Sequence, residues 1–294
     1  MLEKIFALPV DEALAGTVSL RRLGGLPLLV VDHPRARAAV CLQGAQLVAW
    51  QPAGHEPVLW LSEQARWEAG VAVRGGIPIC WPWFDDAGEP MHGFARTTMW
   101  ALVACRESDD GVRLTLELRS SEETRALWPH DFTLRARIAV GRECSLEMEV
   151  SGEHSSVGAL HTYLRVGKVG GVSVAGLGGR YTDGLREEAP GVQDGPLVLV
   201  EDEEIERYYP EAGEVSRVED RGAGRGTGRV VEVCHREHSD VVVWNPGEEP
   251  VPDVAEGAHR EFVCVETARL GRPLVSTPSE SALLAVSLRV ARTG

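Results

Sequence analysis

The sequence predicts an all-β protein whose antiparallel sheets pack on one another as a large sandwich. Several runs of seven to nine residues alternate between polar and apolar side chains, as a half-buried strand requires. Gly, Pro, Asp or Ser residues bound each run and supply turns. The helical patterns of about ten to fifteen residues that parallel βαβ units need do not separate these runs. Packed antiparallel sheets are therefore favoured over a parallel sheet.

The alternating runs occur in chain order at 112–120, 132–140, 144–152, 171–177 and 282–290. Only the first residues of the chain and the segment near 122–129 show a weak helical pattern. No shift in composition and no Ser- or Pro-rich linker divides the chain. We therefore expect residues 1–294 to form a single domain, although this is long for one all-β unit.

Composition and charge exclude several classes of function. Hydrophobic residues make up 44% and charged residues 25% of the 294 positions, which is typical of a globular protein with a substantial core. The net charge of −14, with scattered arginines, argues against a nucleic-acid partner. No run approaches the roughly 18–20 apolar residues of a membrane span, and the first residues lack a basic signal region. We expect a cytoplasmic monomer with no membrane partner.

No set of residues in the sequence indicates a metal or an organic cofactor. The six cysteines are spread singly and no CxxC occurs, which favours reduced, buried thiols. His235 and His238 are close in sequence, but on one strand they would point to opposite faces. The glycine-rich stretch 222–228 lacks the preceding apolar strand and the Lys-Ser/Thr of a phosphate loop, so a hairpin loop is expected there. The acidic run 201–206 is most simply a solvated loop, apart from its last residue.

The segment 74–96 has a composition that packing alone does not explain. It reads RGGIPICWPWFDDAGEPMHGFAR, with three prolines, two tryptophans and an arginine at each end. Prolines make such a chain rigid and irregular, so we expect it to cross the surface and present aromatic faces that suit a sugar ring. Arg74 and Arg96 could hold a phosphate through charge-assisted hydrogen bonds, or could simply pair with some of the 44 acidic residues.

Ordered sequence blocks from about residue 44 to the last strand resemble the hexose-6-phosphate mutarotases, also called glucose-6-phosphate 1-epimerases, of the aldose 1-epimerase superfamily. The blocks that carry the resemblance are GAQLVAW (44–50), RGGIPICWPWF, HGFAR, LHTYLRVG (160–167) leading into VAGLGGRYTD, VVVWNPG (241–247) and FVCVE (262–266).

The resemblance implies a large antiparallel β-supersandwich of the galactose mutarotase type and a reaction that interconverts the anomers of a hexose 6-phosphate. It implies no metal and no cofactor. The histidine of the HTY block is His161, the implied acid, and the glutamate that closes FVCVE is Glu266, the implied base. Ring opening needs one such acid and one such base.

Further substrate-binding positions follow from the same resemblance. The phosphate-contacting arginines fall on Arg74 and Arg96, the histidine of HGFAR is His92, and an acidic sugar-binding position falls on Glu206. We expect an anionic neighbourhood, with the phosphate and carboxylates, to keep the acid, His161, protonated.

The sequence departs from the family pattern in two places within the segment 74–96, which we call the rim of the implied site. Met91 replaces a glutamine that many relatives have, and Asp85-Asp86 replace a glycine, which adds negative charge near the implied phosphate site.

Two other functions stay open at this point. A mutarotase of unphosphorylated aldoses would need the acid and base but not the two arginines, and a sugar-phosphate-binding protein would need the arginines but not the acid and base together.

Overall fold

Antiparallel strands form nearly all regular structure in the described residues, 1–186, 188–222 and 228–292 of this computed structural model. The strands are β1 (Glu12–Ala15), β2 (Val18–Leu23), β3 (Leu26–His33), β4 (Ala36–Cys41), β5 (Gln46–Pro52), β6 (Ile79–Cys80), β7 (Ala101–Ser108), β8 (Gly111–Arg119), β9 (Phe132–Gly141), β10 (Cys144–Gly152), β11 (His154–Leu160), β12 (Tyr163–Arg165), β13 (Val172–Ala175), β14 (Arg180–Asp183), β15 (Ala189–Val192), β16 (Leu197–Val198), β17 (Ile205–Tyr209), β18 (Val215–Asp220), β19 (Arg229–Arg236), β20 (Asp240–Asn245), β21 (Phe262–Ser276) and β22 (Ala282–Arg292). Two short α-helices, α1 (Leu2–Phe6) and α2 (Glu122–Leu127), lie where weak helical patterns were predicted.

The strands form three sheets. One has five strands in sequence order, β1 to β5. A second has nine, in the order β16-β13-β18-β19-β22-β10-β9-β8-β7. The third has eight, in the order β15-β14-β17-β20-β21-β11-β6, with β12 also paired to β21. The prediction of an all-β, antiparallel fold is confirmed.

Alternation along the sequence explains the middle of the nine-stranded sheet. In β10, Leu146 and Met148 are buried, while the intervening glutamates face outward. Those glutamates pair across the strands with arginines of β9: Arg135 lies 2.9 Å from Glu149. Apolar residues thus fill one face and ion pairs cover the other, and the predicted runs 112–120, 132–140, 144–152, 171–177 and 282–290 correspond to β8, β9, β10, β13 and β22.

The predicted hairpin loop at 222–228 falls largely on residues 223–227, which lie outside the described residues. The strands on either side of it, β18 and β19, pair antiparallel from Asp220 opposite Arg229 to Val215 opposite Cys234. All six cysteines are free thiols. The α-helices of the described part have five and six residues, too few for a helix to cross a membrane.

The main buried cluster draws apolar side chains from all three sheets, from Val18 in β2 to Leu288 in β22. In β21 the alternation divides the strand between two environments. Val263 and Val265 belong to this cluster, whereas Cys264 and Glu266 lie on the opposite face of the eight-stranded sheet. That second face carries the candidate site, so the site rests on a sheet whose reverse side is fixed by the core.

Candidate active site

Strand register brings side chains from four strands into two neighbouring rows on this face. In one row, Glu206 of β17 pairs with Trp244 of β20. Trp244 pairs in turn with Cys264 of β21, and Cys264 pairs with Tyr163 of β12. The next row contains Tyr208, Val242 and Glu266. The register therefore places the implied base close to the implied acidic sugar-binding residue.

His161 and Glu266 are in direct contact. His161 follows the last residue of β11, and its backbone N–H donates to the carbonyl of Pro78 at 3.0 Å. The imidazole Nε2 lies 3.3 Å from Oε1 of Glu266. The two residues are 6% and 1% exposed. A buried imidazole and a buried carboxylate within reach of each other are the elements of acid–base chemistry.

Each member of this pair keeps one buried polar atom without a partner in the described part of the chain. These atoms are Nδ1 of His161 and Oε2 of Glu266. Buried polar atoms in proteins are nearly always hydrogen-bonded, so two adjacent exceptions are typical of groups that meet a ligand or a reacting atom.

Burial acts on the two pKa values in opposite directions. It lowers the pKa of His161 well below the usual value, and the positive charges of Arg96 and Arg74 lower it further. Burial also raises the pKa of Glu266 well above the usual value, with a further contribution from the carboxylate of Glu206. The expectation that the surroundings favour protonated His161 is therefore wrong for the protein's own groups, because desolvation outweighs the nearby acids.

His92 is held as a neutral imidazole with a defined tautomer. The backbone N–H of Asp85 donates to Nδ1 of His92 at 2.9 Å, and the N–H of His92 donates to the Asp85 carbonyl at 2.8 Å. An Nδ1 that accepts a hydrogen bond leaves the proton on Nε2. Burial lowers the pKa of His92 to about 3. The ring lies 5.8 Å from that of His161, edge to face, so His92 can serve the site as a hydrogen-bond donor.

Both predicted arginines lie beside the pair and have unused donors. Nη1 of Arg74 donates to the hydroxyl of Tyr163 at 3.1 Å, and Nη2 of Arg96 donates to the carbonyl of Met91 at 2.8 Å. The buried Nε atom of each arginine has no partner among the described residues. Neither arginine forms an ion pair with a carboxylate in that part of the chain. The ordinary role of a surface arginine therefore does not account for them.

Glu206 lies in β17 and faces the site. The hydroxyl of Tyr208 donates to its carboxylate. Burial raises the pKa of Glu206, and the charges of Asp85 and Asp183 raise it further. Of the acidic residues in the run 201–206, only this one lies within a strand. Of the six site residues predicted from the sequence, Glu206 and Glu266 lie in strands of this sheet and His161 directly follows one. Arg74, His92 and Arg96 lie in the segment 74–96, close enough for their charges or rings to act on His161.

The comparison with protein families decides which family this is. A model described as aldose 1-epimerase matches residues 27–288. The chain belongs to the aldose 1-epimerase family. It is therefore an isomerase of the epimerase class.

The epimerase is also similar to individual proteins over its full length. It is 44% identical to proteins named "Putative glucose-6-phosphate 1-epimerase" from Salmonella typhimurium and Escherichia coli, over 99% of this chain and 100% of each relative. A crystal structure described as "a putative mutarotase" from Salmonella typhimurium matches 100% of both chains with a TM-score of 0.95. A galactose mutarotase-like protein from Lactobacillus casei, 14% identical with a TM-score of 0.69 over 90% of this chain and 100% of that one, shows the same fold.

One expectation about the rim of the epimerase is wrong. The segment 74–96 does reach the surface, at Asp86, Ala87, Glu89 and Met91, but its two tryptophans do not form a sugar-facing surface. Trp81 is completely buried, and its indole N–H donates to Ser156 at 2.9 Å. The indole N–H of Trp83 donates to the carbonyl of Pro90 at 2.8 Å, within the segment itself. Both tryptophans support the rim from inside, because a large flat ring in an irregular loop also fills core volume.

Sequence reasoning missed the aromatic residues that do line the site. Tyr163 stacks on His161 with ring centroids 4.7 Å apart and planes 7° apart. Trp244 meets His161 edge to face at 5.9 Å. A signal for Tyr163 was present, because it follows His161 by two positions in extended chain and such residues share a face.

The expected separation of His235 and His238 was also wrong, since their rings lie 5.2 Å apart. Strand β19 ends at Arg236, so strand geometry does not apply to His238. Both nitrogens of His235 lie within hydrogen-bond distance of hydroxyls, of Thr267 at 2.7 Å and Ser216 at 3.0 Å. The described residues contain no group of three or more His, Cys, Asp or Glu that could hold a metal ion.

Proposed function

We propose that this epimerase interconverts the α and β anomers of a hexose 6-phosphate, in the first place glucose 6-phosphate, by acid–base ring opening without a metal or cofactor. The observation that carries the proposal is the contact between His161 and Glu266, each with an unpartnered buried atom, beside two arginines that no carboxylate of the described residues neutralises. The names of the relatives that are 44% identical support the same substrate.

The geometry suits the reaction because the two oxygens that exchange protons are bonded to the same carbon. The step starts from ionised Glu266 and protonated His161: Glu266 takes the proton from the anomeric hydroxyl while His161 gives one to the ring oxygen, and the ring opens to the aldehyde. Rotation about the C1–C2 bond then presents the other face of the carbonyl. The reverse transfers close the ring as the other anomer. Groups 3.3 Å apart can serve adjacent oxygens without moving far.

The surrounding residues bind the remaining parts of the substrate, each a different group. His92 donates from Nε2 to a sugar oxygen, and Glu206 accepts from a hydroxyl. Arg74 and Arg96 bind the 6-phosphate, since a guanidinium offers forked donors that match phosphate oxygens. Their other hydrogen bonds, to Tyr163 and Met91, already hold them in place. Because Arg96 uses the backbone carbonyl of residue 91, the methionine side chain there does not weaken this anchor.

The proposed partner is therefore a small sugar phosphate, handled by a monomer. A net charge of −14 would repel nucleic acid and anionic lipid surfaces. The attraction for a dianionic substrate then comes from the local positive charges of Arg74 and Arg96.

Exchange measurements on paired substrates test this function. NMR exchange spectroscopy would give anomer-exchange rates for glucose 6-phosphate and for glucose, with the wild type and with Arg74→Ala and Arg96→Ala. A charge-assisted hydrogen bond contributes about 1.5–3 kcal/mol, so each variant should lose about ten- to a hundredfold in kcat/KM for the phosphorylated sugar. The rate with glucose should change far less.

Arg180→Ala is the matched control, because Arg180 is an exposed arginine that already pairs with a carboxylate, that of Glu211. It should leave both activities near the wild-type level. Equal losses on the two sugars for Arg74→Ala and Arg96→Ala, or a wild type that prefers free glucose or galactose, would identify a mutarotase of unphosphorylated aldoses. Tight binding of glucose 6-phosphate without any exchange would identify a binding protein.

A further inference from the structure

Tyr163 contacts both halves of the site. Its hydroxyl oxygen accepts the hydrogen bond from Nη1 of Arg74 at 3.1 Å. Its ring lies parallel to the imidazole of His161, 4.7 Å away between centroids. One side chain therefore joins a proposed phosphate-binding group to a proposed proton donor.

The ring of Tyr163 is itself fixed. Trp60 stacks near it with centroids 5.8 Å apart and planes 24° apart, and Phe262 lies 5.4 Å away. Tyr163 is 2% exposed. Burial raises the pKa of its hydroxyl above the usual range, so the group stays neutral and can accept from a cation. A side chain held this firmly can define the position of what rests on it.

His161 depends on such a support because its own hydrogen bonds do not fix the orientation of its imidazole ring. Nδ1 has no partner among the described residues, and Nε2 faces Glu266 at the long distance of 3.3 Å. Rotation of the imidazole about its Cβ–Cγ bond would move Nε2 away from the carboxylate. The parallel tyrosine ring opposes that rotation, since a tilted imidazole would collide with it.

We propose that Tyr163 is a positioning residue with two separable tasks: its ring fixes the plane of His161 for proton transfer, and its hydroxyl fixes Arg74 for the 6-phosphate. This inference rests on the proposed function. It adds a residue to which the sequence assigned no role, and it links substrate choice to the alignment of the acid.

Substitution of the hydroxyl alone tests the second task. Tyr163→Phe keeps the ring and removes the acceptor for Arg74. We expect the KM for glucose 6-phosphate to rise about three- to tenfold, as for loss of one orienting hydrogen bond. Glucose 6-phosphate and inorganic phosphate should bind more weakly by a similar factor in calorimetry. The fall in kcat should stay within about threefold, because the ring remains on His161.

Substitution of the ring tests the first task. Tyr163→Met fills a similar volume with a flexible apolar chain and gives no planar support. We expect kcat to fall at least about tenfold with both glucose 6-phosphate and glucose, since misplacement of a reacting group by about 1 Å can cost a hundredfold. The limb of the kcat–pH profile that belongs to His161 should also shift upward, because a looser site admits water to the imidazole.

Tyr209→Phe is the matched control: Tyr209 is a buried tyrosine of β17 whose hydroxyl donates to Gln193 at 2.9 Å, and it faces the core. It should change neither kcat nor KM. Urea unfolding would show that each variant is folded, and if Tyr163→Met is not, Tyr163→Leu replaces it. The proposal is overturned if Tyr163→Phe lowers kcat as much as the ring-less variant, or binds phosphate like the wild type.

Failure of the proposed function has a different signature. A wild type that exchanges the anomers of no aldose would refute the function itself. Calorimetry with glucose 6-phosphate and inorganic phosphate would still test the link from Tyr163 to Arg74, because binding requires no turnover.

Discussion

His161 and Glu266 owe their proposed strength as acid and base to the same burial. A carboxylate with a raised pKa holds a proton more tightly and is a stronger base, and an imidazolium with a lowered pKa is a stronger acid. The contact at 3.3 Å lets one proton be shared between them. Burial thus strengthens each group in its proposed role but also favours the neutral pair in the free protein, so the proposed ring opening starts from the state in which the shared proton lies on His161.

Removing either group should abolish most of the exchange. General acid–base catalysis contributes about 10²–10⁴-fold per group, so His161→Ala and Glu266→Gln should each lower kcat by that order. NMR anomer exchange with glucose 6-phosphate measures the effect, and near-ultraviolet circular dichroism checks the packing. Glu211→Gln, at an exposed position, should behave as the wild type. A folded variant of either site residue that retained more than half the wild-type rate would refute the mechanism.

Close backbone contacts hold the segment 74–96 in its conformation. Near its end, Gly93 adopts φ +75, and a Cβ there would lie 2.0 Å from the carbonyl oxygen of Trp81. Backbone cannot yield as a flexible side chain can. The position of His92 therefore depends on the neighbouring Gly93, which has no side chain that could bind substrate or transfer a proton.

Gly93→Ala should accordingly disturb both stability and activity. We expect a loss of about 1–3 kcal/mol in the free energy of unfolding, from backbone strain and displacement of neighbouring chain, and a fall in kcat/KM. Urea unfolding and anomer exchange measure the two effects. Gly171→Ala is the control, because a Cβ at Gly171 meets nothing within 4 Å. Equal behaviour of the two variants would show that the rim tolerates the added methyl group.

Strands with one solvent-exposed face could be predicted from the sequence, whereas strands that are buried on both faces could not. Strands β8, β9 and β10 follow their alternating runs to within a residue. By contrast, the central part of β21 is buried on both faces around Val265, so its sequence shows no alternation. Likewise, the blocks of the sequence identified His161, but not its contact with Tyr163. The orientation of Trp81 was mispredicted because the composition of a loop does not say which way a ring points.

At the scale of the whole molecule, a buried and a partly buried histidine should make the fold sensitive to acid. Burial lowers the pKa values of His92 and His235 to about 3 each. In the unfolded chain each would titrate near 6.5, so below that pH the unfolded state binds more protons than the folded state. Stability should fall as the pH drops from about 6.5 toward 3, by on the order of 2 kcal/mol per histidine between pH 7 and pH 5.

Urea unfolding at pH 7 and pH 5 measures this dependence. His235→Gln can keep hydrogen bonds to the hydroxyls of Ser216 and Thr267 but has no proton to gain, so it should lose its share of the pH difference. A variant whose stability changed between the two pH values as much as that of the wild type would show that His235 does not contribute.

The division of β21 between core and site has a consequence for how the sheet can assemble. A slip of this strand by one residue would exchange its faces, turning Glu266 into the apolar interior and Val265 outward. An unpaired carboxylate among valines and leucines costs far more than a misplaced apolar side chain, so the slipped pairing is strongly disfavoured. The residue proposed to abstract the proton thus also marks the correct alignment of the strand. A molecule with this strand misaligned would be unstable and inactive for the same reason.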